Sequence, residues 1–113
     1  MKNYDTTVKN ALSNVLPTYH AITVKRAKLP CITYLEIAND AIETGDTLEY
    51  SRIQYEIKLY GYDLEELTVY TNDIDAIMRA LGFKRISADA ETDNELMVII
   101  KSFTYEITVR EDF

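Results

Sequence analysis

Glycine is scarce in this chain of 113 residues: there are three, at positions 45, 61 and 82. None stands in a glycine-rich run, so no loop of the kind that cradles phosphate can be written, and nucleotide binding by a familiar loop is excluded. Cysteine is scarcer still. The single Cys31 cannot form an internal disulfide, which fits a reducing compartment. His20 is the only histidine, so Cys31 and His20 are the only candidates for nucleophilic or metal chemistry. Nothing in their spacing brings them together. The plain reading makes His20 a loop residue and Cys31 a small buried hydrophobe. Long apolar runs are missing too. The longest, LMVII at 96–100, is far too short to span a membrane, and the start MKNYDTTVKN lacks the apolar stretch of a secretion signal. Basic residues number 12 against 19 acidic ones, for a net charge of −7. A surface that grips nucleic-acid phosphate is therefore disfavoured, and only Lys25, Arg26 and Lys28 cluster.

What the chain has is ordinary for a globular domain, with 47% apolar and 27% charged residues. The length predicts one domain, residues 1–113, made in the cytoplasm and used there or assembled there into something larger. Asp5 or Thr6 is placed to cap a first helix running to about Leu16, with Val8, Ala11, Leu12, Val15 and Leu16 on one stripe, and Pro17 stops it. A short strand is expected around Ile22 to Lys25. LPCITYLEIAND follows as a second strand, with Cys31, Thr33, Leu35 and Ile37 on one face and Ile32, Tyr34 and Glu36 on the other. NDAIETGD, 39–46, reads as a polar connection.

From Ile53 to Leu59 the chain alternates, with Ile53, Tyr55, Ile57 and Leu59 against Arg52, Gln54, Glu56 and Lys58. Just upstream the phase is wrong, because Leu48 and Tyr50 fall on the polar side. Either a β-bulge near Ser51 and Arg52 turns them back to the core, or a hairpin arm holds them out for a neighbour. Asp63 and Glu66 form a capping-box pattern for a helix with its stripe at Leu67, Tyr70, Ile74, Ile77, Met78 and Leu81, closing at Gly82. Thr71, Asn72 and Asp73 weaken its middle and offer a second cap. FKRISADA reads as a short strand, ETDNE as a turn, and Leu96 to about Arg110 as a final strand with Phe103, Tyr105, Ile107 and Val109 on its covered face. Together these elements predict an α+β fold: an antiparallel sheet of four or five strands, two helices packed on one face, and a long protruding β-hairpin.

The acidic segments AETDNE and NDAIETGD lack the spaced ligands and fixed glycine of a calcium loop, and read as solvated turns. No cofactor and no metal is expected. Tyr55, Tyr70 and Tyr105 share faces with aliphatic residues and read as core. Tyr34 and Tyr50 do not, and lean towards subunit contacts.

The order of these segments resembles the small tail terminator or tail completion proteins of long-tailed bacteriophages and related prophages. LPCITYLEI is similar to that family's Leu-Pro followed by an aromatic-rich strand, YSRIQYEIKLY to its Arg-led alternating strand with an aromatic end, and DIDAIMRALGFKR to its helix closing in Gly-Phe and a basic residue. Cys31 departs from the pattern, since relatives tend to carry an aromatic residue there. The resemblance implies a structural role without catalysis. Subunits would assemble as a ring, commonly hexameric, at the head-proximal end of the tail in the virion, ending polymerisation of the tail tube protein and meeting head connector proteins, with DNA only passing through the lumen. On that reading Tyr34, Ile42, Glu43, Asp46, Leu48 and Tyr50 are candidate contacts with a neighbouring subunit or the tube, and Asp89, Glu91 and Asp93 a candidate acidic lumen. The alternatives are a head completion or connector protein, or a small cytosolic ligand-binding domain or enzyme using Cys31 and His20.

Overall fold

The alternation around Tyr55 does produce a strand, and it forms the middle of the molecule. The computed structural model describes residues 4–21, 28–43, 49–95 and 97–111, and for Glu43, Glu49 and Glu111 the backbone alone. Its elements are α1 (Asp5–Leu12), β1 (Thr18–His20), β2 (Cys31–Glu43), β3 (Glu49–Gly61), α2 (Leu64–Ala80), β4 (Lys84–Asp93) and β5 (Val98–Glu111). The five strands form one sheet in the order β1-β2-β3-β5-β4. Three pairings are antiparallel, and β1 joins β2 in parallel. The sheet is thus mixed, and the α+β architecture expected from the sequence is the one observed.

Both helices lie on one face, where Val8 and Leu12 of α1 and Leu67, Ile74 and Met78 of α2 are buried against Ile53, Tyr55, Ile57 and Leu59. Those four β3 residues are fully buried, so each apolar side chain there contributes about 1.5–3 kcal/mol of transfer free energy. Phe83, just after α2, sits edge-on between the rings of Tyr4 and Tyr55, with centroids 5.6 and 5.8 Å away. Gly82 makes that approach. Its φ of 98° is a conformation that L side chains rarely adopt, and a Cβ there would meet Ile107 Cδ1 at 3.1 Å. The Gly82 and Phe83 amides then donate to the carbonyls of Arg79 and Met78, closing the helix in a Schellman motif.

Two hydroxyls fasten the helices to the sheet. Tyr55 and Tyr105 are direct partners on β3 and β5. Tyr55 donates to Asp5 Oδ1 of α1 at 2.6 Å, and Tyr105 to Asp75 Oδ1 of α2 at 3.1 Å. Asp5 is therefore spent on the core rather than on capping: the N-cap is Tyr4, with no side-chain cap. Helix α1 also ends at Leu12, four residues earlier than expected. Ser13 Oγ and Asn14 Nδ2 hydrogen-bond back to the carbonyls of Lys9, Asn10 and Ala11, and the chain leaves through a turn. In α2 Asp63 caps as predicted, accepting from the Glu65 amide at 3.0 Å, while Glu66 accepts from Tyr70 instead of reaching back. The helix runs unbroken through Thr71, Asn72 and Asp73, so no second cap is needed.

Strand limits differ from expectation in the acidic segments. β2 runs on to Glu43 and β4 to Asp93, into residues read as connection and turn. Their polar side chains alternate on faces open to water, where a strand tolerates them while the backbone is paired. The strand expected over 22–25 lies outside the described residues, and the observed first strand is Thr18–His20.

The phase slip has a direct explanation. β3 pairs with β5 without a register shift, and none of its own residues from Glu49 to Tyr60 is skipped in the pairing with β2, so there is no bulge at Ser51 or Arg52, and Tyr50 stays on the face of Arg52 and Gln54. The irregularity is opposite, in β2 between Glu36 and Ala38. Ile37 is the extra residue, and beyond it the faces of β2 exchange. Leu48 lies outside the described residues.

Candidate interaction surfaces

With the helices on one face, the other face of the sheet is built from every second residue of the strands. Cross-strand pairing sets its rows. Ile42, Tyr50 and Arg110 form one end, followed by Asp40, Arg52 and Thr108, then Ala38, Gln54 and Glu106. Arg52 bridges β2 and β5, with its guanidinium 3.4 Å from Asp40 and 3.6 Å from Glu106. Gln54 Nε2 donates to Glu106 Oε1 at 2.9 Å. Lys58 reaches Glu56 at 3.8 Å. This face is polar, mixed in charge and internally paired, unlike a cofactor pocket, which is concave and mostly apolar.

Sequence-predicted residues fall in different places. Ile42 is 37% exposed and lies directly opposite the half-buried Tyr50, so that pair does share the open face. Glu43 pairs with Glu49 at the last described rung. Asp46 and Leu48 lie outside the described residues. Tyr34 is a correction. It pairs with Ile57 on the helix face, is 6% exposed and belongs to the core, so the premise that it lacks core partners fails. The reason is that the start of β2 is buried on both faces: Cys31 and Thr33 are buried opposite Ile32 and Tyr34. Nothing in the alternation of that segment reveals this.

Asp89, Glu91 and Asp93 are brought onto one face of β4, opposite Ser102, Ile100 and Val98 of β5. Two shallow depressions adjoin them. One is lined by Glu91, Thr92, Asp93, Asn94, Glu95 and Ile100, the other by Glu56, Lys58, Asp89, Ala90, Glu91 and Ser102. Among the described residues no three His, Cys, Asp or Glu side chains gather in a way that would hold a metal ion.

Cys31 and His20 do not form a pair. His20 stands in register with Tyr34 and packs edge-on against its ring at 5.2 Å, whereas Cys31 pairs with Tyr60 on the opposite face. Burial pushes the Cys31 thiol up, away from the thiolate a nucleophile needs.

The strongest electrostatic perturbations are inside, where the sequence offered no sign of them. Burial first, then the Asp5 carboxylate, pushes the Tyr55 hydroxyl far above its usual value, and burial with Asp75 does the same to Tyr105. Burial alone would raise Asp75. Hydrogen bonds from Arg79 Nε at 2.7 Å and from Tyr105, with the charges of Arg79 and Arg85, outweigh it and hold the carboxyl below its usual range. These groups are structural anchors. The only local signal was Asp75 four residues before Arg79; the two tyrosine contacts span 50 and 30 residues.

No family model and no curated protein matches the sequence. Among solved structures, the chain is similar to a chain from the virion of a native gene transfer agent (GTA) particle, with a TM-score of 0.56 and 12% identity over 95% of this chain and 87% of that one. At that identity the likeness shows the fold alone, shared nearly end to end with that chain.

Proposed function

We infer that this chain is a structural protein of a phage-type virion, and within that class a tail terminator. Copies form a ring, hexameric by the resemblance, at the head-proximal end of the tail. The ring ends polymerisation of the tail tube protein, meets the head connector proteins and lets DNA pass. The observation that carries the reading is the fold shared over 95% of the chain with a chain of the GTA virion. The segment order that resembles tail terminators points the same way. A ring uses two different patches on each subunit. The Ile42 and Tyr50 end of the open face is one candidate, and Glu43, Asp46 and Leu48 are kept as candidates on the sequence reading alone. The stripe Asp89, Glu91 and Asp93 suits a lumen through which a polyanion slides without sticking.

Electron microscopy of particles assembled without the protein tests it. Overlong tails are the expected result. Filled heads beside separate tails of normal length would move the chain to the head completion reading, and normal virions would end both. Purified protein should also cap isolated tail tubes, and Tyr50→Ser should weaken capping while leaving the fold intact.

A further inference from the structure

At one side the sheet ends in a long open edge. Among the described residues β4 pairs with β5 alone, and every side chain from Lys84 to Thr92 is exposed. On the other side β1 covers only Ile32, Thr33 and Tyr34 of β2, and the part of β2 beyond them has a different charge pattern, without cations. An unpaired edge presents alternate N–H and C=O groups to any strand that can lie beside it, and proteins commonly guard such edges with charges and bulges. β4 has both, but its charges are sorted by position. Lys84 and Arg85 stand at one end, and Asp89, Glu91 and Asp93 at the other. Arg85 turns to the helix face, within 4.0 Å of Asp75. Lys84, Asp89 and Glu91 share the open face, and among the described residues none of these three side chains makes an ion pair or hydrogen bond. A strand polarised in this way repels a parallel copy of itself and matches an antiparallel one.

We propose that two copies of this chain pair through their β4 strands, antiparallel, about a two-fold axis at Ala88. The pairing follows from the bulge. β4 shifts register against β5 between Arg85 and Ser87, so Ile86 is the extra residue and shares a position with Arg85. Centred on Ala88, Ser87 then faces Asp89 of the second copy, Arg85 faces Ala90, and Lys84 faces Glu91. Every pair lies on a common face, which a direct antiparallel partner requires. Lys84 meets Glu91 directly with Asp89 and Asp93 on its diagonals, and the symmetry repeats this at the other end. The small Ala88 and Ala90 let the backbones approach. Ile86, 45% exposed, lies on the edge that the second copy covers. Two sheets become one, and both β4 edges are covered.

This dimer goes beyond the ring reading. Its interface is isologous, where a ring needs two different patches. While it lasts it also withdraws Asp89, Glu91 and Asp93 from any lumen, which makes it a resting form held before assembly.

Light scattering and sedimentation of the full chain test the pairing. The wild type is expected to be a dimer. K84E and E91K, each confirmed as folded by circular dichroism, are expected to dimerise about tenfold more weakly or worse. Mixing the two variants restores a dimer, since both reversed charges then meet an opposite one. A88C should cross-link to itself under mild oxidation, because direct antiparallel partners lie within disulfide reach. A wild type that is monomeric at every concentration overturns the proposal. So does a dimer or ring that survives both charge variants or leaves A88C uncrosslinked. Tube capping is measured separately on tails, so the ring reading fails or holds independently of this one.

Discussion

The two faces of β3 share a backbone and differ in almost everything else. On one, Ile53, Tyr55, Ile57 and Leu59 are fully buried beneath two helices. On the other, Arg52 and Gln54 meet water and the carboxylates of Asp40 and Glu106, and Lys58 meets Glu56, through side-chain contacts of 2.9–3.8 Å. The first face carries the free energy of folding. The second carries little of it, since exposed ion pairs contribute about 0–1 kcal/mol each. That leaves the second face free to be shaped by partners, and the polarised edge of β4 belongs to the same economy of roles.

Four substitutions sharpen this contrast, taken from the largest expected effect downward. Ile57→Ala on the covered face should cost about 2–5 kcal/mol in urea unfolding, because the site is enclosed between α2 and the sheet and cannot collapse fully. A loss below about 1 kcal/mol would mean the helices cover the sheet only loosely. Tyr105→Phe should cost about 1.5–3 kcal/mol near neutral pH, since it removes a buried donor to a charged acceptor.

That second effect has a pH signature. The Asp75 carboxyl is held below its usual range, so its contribution to stability is complete above the unfolded value of about 3.9 and is lost as pH falls through the lower folded value. The gap between wild type and Tyr105→Phe should therefore narrow in acid, over a window below pH ~4. A gap that stays constant to the lowest pH at which the protein folds would show that Asp75 is not the acceptor that matters. The smallest effects belong to the open face. Tyr50→Ser and Arg52→Ala should each shift folding free energy by no more than about 0.5 kcal/mol. A larger loss at either would show that this face also supports the fold.

Much of the fold was legible because short-range period decides it. The alternation of β3, the stripe of α2 from Leu67 to Leu81 and the covered face of β5 could be read from the chain, and all three are present. The errors in the strands share one physical cause, which is pairing between distant segments, whereas the early end of α1 is local, set by Ser13 and Asn14. Asp40 and Ala41 look like a connection until they lie beside Arg52 and Ser51, and Glu91 and Thr92 look like a turn until they lie beside Ile100 and Ile99. Tyr34 looks unpartnered because the burial of β2 on both faces depends on its place inside the sheet. The bulge at Ile37 leaves no local mark, so the phase slip was noticed in β3 while its structural counterpart sits in β2.

The candidate surfaces were half visible for the same reason. Acidic residues two apart in sequence, at 89, 91 and 93, share a face as soon as they form a strand. That Lys84 stands with them on an open edge is decided by topology, since β5 inserts between β3 and β4.

The hydroxyls of Tyr55 and Tyr105 divide the protein into parts that can open at different cost. Tyr55 has a second carboxylate in reach, with Glu36 Oε2 at 3.5 Å behind Asp5. If α1 peels away, that hydroxyl keeps an acceptor supplied by the sheet itself. Tyr105 has no such substitute among the described residues. Opening α2 strands a buried donor and also parts Asp75 from Arg85 of β4. Amide exchange is therefore expected to begin in the short N-terminal helix, ahead of α2 and the central strands. In α1, then, the molecule has a part whose departure still leaves the Tyr55 hydroxyl an acceptor on β2.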